Sequence, residues 1–203
     1  MDNGRIKCLG LACSPRLNGN TSILLEKVME GAAAAGAATE VVRLVDFSVA
    51  PCRACDGCFT NGKCVVKDGA ADIFTKILEA DRIIMAAPIF SMGMNAQAKA
   101  LVDRSQQFWA TRYVLKEPVI QDSHLRPPRR GIYISAAGTN LPGVFDGALR
   151  TARYFFKMLD IQWDSSYCFP LTDKTGVINS NTEALETVFQ AGTLLTSGGS
   201  NAS

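Results

Sequence analysis

Short apolar runs alternate with amphipathic stretches along the whole chain, and that alternation sets the expected architecture. Ile6–Ala12 is apolar and stops at Cys13, Ser14 and Pro15, so it reads as a first strand. A helix over Thr21–Ala38 follows, with Ile23, Leu24, Val28, Ala32 and Ala35 sharing one face and Asn20 placed to cap its start. Glu40–Val45 reads as a second strand. Asp72–Ala80 carries Ile73, Phe74, Ile77 and Leu78 at helical spacing, and Arg82–Ala87 is a buried strand that Pro88 ends. Asn95–Gln107 is expected to be helical. Gly131–Ala136 is a fourth strand, Val144–Leu159 a helix, Ile161–Phe169 a fifth strand and Thr182–Leu195 a last helix.

Three stretches fall outside this rhythm. The Gly, Pro and Asn content of residues 51–64 predicts a loop, and residues 108–130 show no periodicity and read as a surface excursion. The Ser/Gly/Asn-rich tail, 196–203, is expected to fray. No repeat or linker divides the chain, so residues 1–203 form one expected α/β domain, a parallel sheet covered by helices on both faces. Ligands of such sheets bind beyond the carboxyl ends of the strands.

Composition narrows the functional classes. Hydrophobic residues make up 47% and charged residues 20%, ordinary values for a soluble domain. Twenty-one basic against nineteen acidic side chains leave +2, which argues against a nucleic-acid or membrane surface. The local cluster Arg126, Arg129 and Arg130 reads as a solvated loop. Met1–Gly10 has no leader pattern, and no run nears the roughly 18 apolar residues of a membrane span. The expected location is therefore cytoplasmic and reducing, where structural disulfides are rare. Seven cysteines are many for that setting, and four of them crowd between 52 and 64.

The first strand ends in Cys13-Ser14-Pro15-Arg16-Leu17-Asn18-Gly19-Asn20-Thr21-Ser22 and runs straight into a helix. Helix-start amides, the hydroxyls of Ser14, Thr21 and Ser22, the Asn20 amide and the Arg16 guanidinium make a donor set suited to a phosphate monoester. Gly19 lets the backbone come close. The segment is neither a Walker loop nor the dinucleotide fingerprint.

Cys52, Cys55, Cys58 and Cys64 are separated by two, two and five residues. Two-residue gaps wrap a loop around a cubane iron–sulfur cluster, whereas structural zinc sites usually pair two knuckles across a longer stretch. Zinc and redox-active thiols stay open as alternatives. Cys8 and Cys168 fall inside strands and read as core residues. His124, the one histidine, receives no role, and Trp109 and Tyr113 are placed either over a cofactor or against a neighbouring subunit.

Ser14-Pro15-Arg16, with Asn18-Gly19-Asn20-Thr21-Ser22, resembles the FMN phosphate loop of NADPH-dependent FMN reductases and iron–sulfur flavoproteins. Ala87-Pro88-Ile89-Phe90-Ser91-Met92-Gly93 resembles that family's segment bordering the isoalloxazine ring, and Lys99-Ala100-Leu101-Val102-Asp103-Arg104 its following helix. The similarity runs from about Cys8 to Arg104 and continues more weakly. It implies a flavodoxin-like three-layer sandwich with a five-stranded parallel sheet in the order 2-1-3-4-5. Ser14, Arg16, Asn18, Asn20, Thr21 and Ser22 would bind the phosphate end of FMN. Pro88, Ile89, Phe90, Ser91, Met92 and Gly93 would border the ring, joined by Ser135 and Gly138 from the loop after the fourth strand. Cys13 departs from the glycine common in the family before Ser-Pro-Arg.

The cysteine spacing likewise resembles the family's compact motif, which holds a [4Fe–4S] cluster close to FMN. The implied activity is electron relay from a carrier such as ferredoxin through the cluster to FMN and an acceptor, in a homodimer or homotetramer. The alternatives are an NAD(P)H-dependent FMN or quinone reductase without a cluster, and a zinc-stabilised, non-enzymatic binding or sensor domain. No serine–histidine–acid set or paired carboxylates suggest hydrolysis.

Overall fold

Period-two burial along the strands decides which helix covers which face of the sheet. The computed structural model describes residues 4–121 and 123–198; the end of the predicted tail, 199–203, lies outside them. In β1 (Lys7–Ala12), Leu9 and Leu11 face one side and Cys8 and Ala12 the other. On the first side they join Ile83 and Met85 of β3 (Arg82–Ala86) and Tyr133 of β6 (Arg130–Ala136). That layer packs on Ile73, Phe74 and Ile77 of α2 (Ala70–Glu79) and on Phe155 and Phe156 of α5 (Asp146–Met158). On the other side Ile84, Ile132 and Ile134 meet Leu24, Leu25 and Val28 of α1 (Asn20–Ala34) and Val188 and Leu195 of α6 (Thr182–Thr196). Each such side chain contributes about 1.5–3 kcal/mol on burial.

With β2 (Ala38–Arg43) and β7 (Gln162–Phe169) the sheet runs β2-β1-β3-β6-β7, every neighbour parallel. Counting the five long strands, that is 2-1-3-4-5, the flavodoxin-like order expected. The chain leaves β1 for β2 on one side and returns to β3 on the other, so a crevice opens above β1 and β3.

α1 and α6 cross at two glycines. A methyl group on Gly31 would run into the Phe189 carbonyl oxygen, and one on Gly192 into that of Val28. Backbone-to-backbone contact there seats α1 on the sheet and so sets the height of the loop that precedes it.

Several boundaries differ from expectation. α1 ends at Ala34, not Ala38, because Gly36 turns left-handed (φ +91°) and reverses the chain; β2 accordingly starts at Ala38 and gives way to a 3₁₀ turn at Leu44–Asp46. Asn20 is the first helical residue and does not cap; extended Gly19 holds the cap position. A two-stranded hairpin, β4 (Ile89–Phe90) with β5 (Gly93–Met94), follows β3. The surface excursion expected from residue 108 starts later: α3 (Ala96–Arg104) is followed by α4 (Gln106–Trp109) and a π turn at Ala110–Val114. Phe108 is buried there, edge-on to Phe74 with 4.9 Å between ring centres.

The basic cluster is not a solvated loop either. Arg129 is buried and donates to the carbonyls of Ile77, Ala80 and Leu159, while Arg126 donates to those of Leu78 and Glu79. Both cations thus close the carboxyl end of α2, where the helix dipole favours positive charge. Burial lowers the Arg129 pKa to about 10.

Candidate functional site

Four segments wall the crevice, and the sheet itself supplies its floor. Cys13 donates to Ala86 (2.9 Å), Ala87 to Ile134 (3.0 Å) and Ala137 to Phe169 (3.0 Å), so the main-chain ladder continues one step past the strands before the loops begin. In the first loop Ser14, Thr21 and Ser22 are buried, while Pro15, Arg16, Leu17 and Asn18 form an exposed rim. The loop closes on itself: the Arg16 amide donates to Ser14 Oγ (3.1 Å) and Gly19 N to Arg16 O (3.3 Å). A Cβ on Gly19 would lie 3.0 Å from Ser14 Oγ, so a side chain there would have to push the serine hydroxyl aside by a few tenths of an ångström. Arg16 reaches across to Thr175 Oγ1 (3.2 Å), which ties the first loop to the segment after β7.

The second wall is the β4–β5 hairpin. Its two-residue turn holds Ser91 (φ +48°) and Met92 (φ +66°) left-handed, the backbone of a tight hairpin that normally selects Asn-Gly. Non-glycine residues there cost roughly 1–2 kcal/mol each. The turn leaves Phe90 and Met92 nearly half exposed at 46% and 47%, with Ser91 exposed and Pro88, Ile89 and Gly93 partly buried. A flat apolar surface with main-chain groups beside it results.

Three expected site residues serve as braces instead. The Asn20 amide donates to Thr172 O (2.8 Å) and Lys174 O (2.9 Å) and accepts from Ile178 N (3.2 Å), so none of it faces the crevice. Ser135 is fully buried and donates to Ala87 O (2.8 Å), holding β6 to the end of β3. Ser22 spends its one hydroxyl proton on Arg16 O (3.1 Å). Gly138 stands at the rim, where a Cβ would meet Asp173 Oδ1 at 2.9 Å. That neighbour belongs to the fourth wall, residues 170–176, which the sequence reading missed; its sign was the polar run Thr172-Asp173-Lys174-Thr175-Gly176 straight after β7. Asn95 was missed too. Its Nδ2 donates to Cys13 O (2.7 Å) and ties the first loop to the start of α3.

The cysteine loop forms a second site. Cys52, Cys55, Cys58 and Cys64 line one small cavity together with Arg104, Val66 and Gln107, and all four thiols are free. Ala54 (φ +49°) and Asp56 (φ +54°) are held left-handed between the cysteines, which curls the loop inward. Burial, then its neighbours Cys64, Cys52 and Cys55, push the Cys58 thiol up. Four thiolates gathered here would repel one another unless a cation stood among them. No three His, Cys, Asp or Glu side chains among the described residues stand in position to hold a single metal ion.

Both ends of the loop are clamped by one buried ion pair. Arg104 donates to Ala50 O (2.9 Å) before Cys52, to Val66 O (3.2 Å) after Cys64, and to both oxygens of Asp68 (2.7 and 3.1 Å). Asp68 also accepts from Ala50 N (2.9 Å) and Ala70 N (3.1 Å). The remaining donor, Arg104 Nε–H, has no partner among the described residues, a defect worth about 1–3 kcal/mol. Burial opposes ionisation of Asp68, but Arg104 and the two amides outweigh it and hold the carboxyl below the ordinary carboxylate range. Its contribution is therefore complete above the unfolded value, about pH 4, and vanishes as pH falls through the lower folded value. In urea titrations the stability gap between wild type and Asp68→Asn, a few kcal/mol at neutral pH, should close on acidification below pH 4; a gap constant with pH would contradict this.

Of the other cysteines Cys8 and Cys13 are buried, whereas Cys168, expected in the core, is only half-buried on the edge strand β7. Burial raises the Cys8 thiol to about 12 and Cys168 to about 11, and pushes Cys13 up as well. α3 links the crevice to the cysteine cavity, with Asn95 at its start on the first loop and Arg104 at its end on the cysteine loop. Nine helical residues rise about 14 Å.

Residues 6–161 match the family model for NADPH-dependent FMN reductases. An iron–sulfur flavoprotein of Methanocaldococcus jannaschii is 39% identical over 101 residues, covering 50% of this chain and 52% of that protein. One of Methanosarcina thermophila is 36% identical over 114 residues, covering 56% and 60%. The chain thus spans about half to three-fifths of the length of these relatives. Among solved structures, a flavone reductase superposes with a TM-score of 0.70 at 18% identity, over 94% of this chain and 62% of that one, a likeness of fold.

Proposed function

Because this chain belongs to the NADPH-dependent FMN reductase family, we propose that it is an FMN-dependent oxidoreductase that also carries a [4Fe–4S] cluster on Cys52, Cys55, Cys58 and Cys64. Its activity on this reading is electron relay from a carrier such as ferredoxin to an acceptor. The observation that carries the reading is the convergence of four free thiols on one cavity, beside a buried guanidinium with an unspent N–H, in a chain that also has a phosphate-type turn. A cluster places several irons between its thiolates, so it asks for a wider ring of sulfur than a lone ion does.

The residues of the crevice suit FMN. Ser14, Thr21, the first amides of α1 and the Arg16 guanidinium would hold the phosphate, with Asn18 on the rim. Phe90 and Met92 would shield one edge of the ring, and the main chain of Ile89–Gly93 and Gly138 would border its polar edge. Asn20, Ser22 and Ser135 would act through the loops they brace. Bound in these places, the flavin supplies storage for one or two electrons and the cluster single-electron exchange. On this reading the protein is a homodimer or homotetramer in which the cluster of one subunit serves the flavin of another.

Anaerobically prepared protein should contain flavin, iron and acid-labile sulfide together; flavin without iron or sulfide after reconstitution overturns the relay. Arg16→Ala should weaken FMN binding roughly tenfold, the loss of one charge-assisted contact, and leave riboflavin binding unchanged. Equal losses for both ligands would remove the phosphate role. The family's nicotinamide dependence favours a second reading, a cluster-free NAD(P)H-dependent FMN or quinone reductase. Rapid bleaching of bound flavin by NADPH, unaffected by cysteine substitutions, would select it, and colourless protein with stoichiometric zinc would select a zinc-stabilised binding domain.

A further inference from the structure

We infer that Arg104 seats and tunes the cysteine-bound centre, its Nε–H donating to the sulfur of Cys64 once that sulfur is a ligated thiolate. The inference rests on the four-cysteine reading above and adds to it a residue outside the ligand set. Arg104 is the last residue of α3, and its side chain is 1% exposed. Its four terminal N–H groups are fully assigned, to Ala50 and Val66 at the two ends of the loop and to the two oxygens of Asp68. A structural clamp needs only those four. The fifth donor is buried, points to no protein acceptor among the described residues, and belongs to a side chain that walls the cysteine cavity.

Cys64 lines the same cavity and stands two residues before Val66, whose carbonyl Arg104 already holds (3.2 Å). A neutral thiol is a weak acceptor, whereas a thiolate bound to iron is a strong one, so ligation completes what the apoprotein leaves undone. Cys64 is fixed from the other side as well, its amide donating to Gln107 Oε1 (3.2 Å). A charged N–H directed at a ligand sulfur stabilises the added electron more than the oxidised state, so it raises the reduction potential. Arg104 is thus a positioning residue whose second effect is electronic.

Arg104→Lys keeps the positive charge and a contact to Asp68 but lacks the Nε–H. Wild type and variant are reconstituted anaerobically, assayed for iron and sulfide, and titrated potentiometrically with EPR detection. The expected result is equal iron content with the variant's cluster reduced only at a more negative potential and the flavin potentials unmoved. Equal cluster potentials in two iron-loaded proteins overturn the role of Arg104 and leave the four-cysteine reading intact. Wild type that takes up no iron or sulfide overturns both. Should the variant fail to fold, wild type labelled with ¹⁵Nε-arginine decides: the reduced cluster should show a ¹⁵N coupling by pulsed EPR that persists in Arg53→Lys, and its absence overturns the proposal.

Discussion

Cys55→Ala should strip the iron from the protein and spare the flavin. Losing an outer-sphere partner alone lowers metal affinity 10–100-fold, so losing one of four ligands should cut iron and sulfide content by more than about tenfold after reconstitution. FMN should remain stoichiometric, because none of the crevice residues named above lines the cysteine cavity. Cys55 is exposed on a loop, so the fold loses no core packing with it. Cys168→Ala is the control: that thiol lies in β7, is kept protonated by burial and should leave both cofactors in place. Full iron content in Cys55→Ala would remove the cysteine from the ligand set.

Gly192→Ala should produce the largest loss of stability from a single methyl group. The new Cβ meets the Val28 carbonyl oxygen and stands 2.9 Å from Ala32 N, both main-chain atoms of α1 with no rotamer to escape into. The helices must separate, at a cost of about 3 kcal/mol or more, roughly a 6–12 °C fall in Tm for a chain of this size. Gly31→Ala meets the Phe189 carbonyl in the same way and should match it. Because α1 begins at the phosphate-type turn, FMN affinity should fall along with Tm in calorimetric and binding measurements. An unchanged Tm would show that the α1–α6 contact is looser than its geometry.

The sheet was legible because its central strands are dense apolar runs, Ile6–Ala12 and Arg82–Ala87, closed by Ser-Pro and Pro. The end of α1 was not, since Ala32–Ala35 and Ala37–Ala38 all favour helix and only the left-handed turn at Gly36 stops it. The helical stretch around Phe108 was hidden by the π turn at Ala110–Val114, which breaks the 3.6-residue recurrence while Phe108 is still in the core. The β4–β5 hairpin escaped because Ser91-Met92 carries no Asn-Gly signature.

At the sites, spacing revealed the cysteines and residue type the phosphate-like donors. Neither could show that Asn20 and Ser135 turn away to brace loops, because their partners lie far along the chain, at 172–178 and at Ala87. Arg104 was visible only as part of a helix. Its importance lies in a carboxylate 36 positions away.

The extension of the ladder through Cys13, Ala87 and Ala137 carries the sheet's main-chain bonding into the base of the crevice. Groups hung from it cannot drift relative to one another without breaking main-chain bonds there. A guest held by them would change charge against dipoles already in place. Its rate of electron exchange would then follow separation and driving force, with little slow rearrangement of the host to wait for.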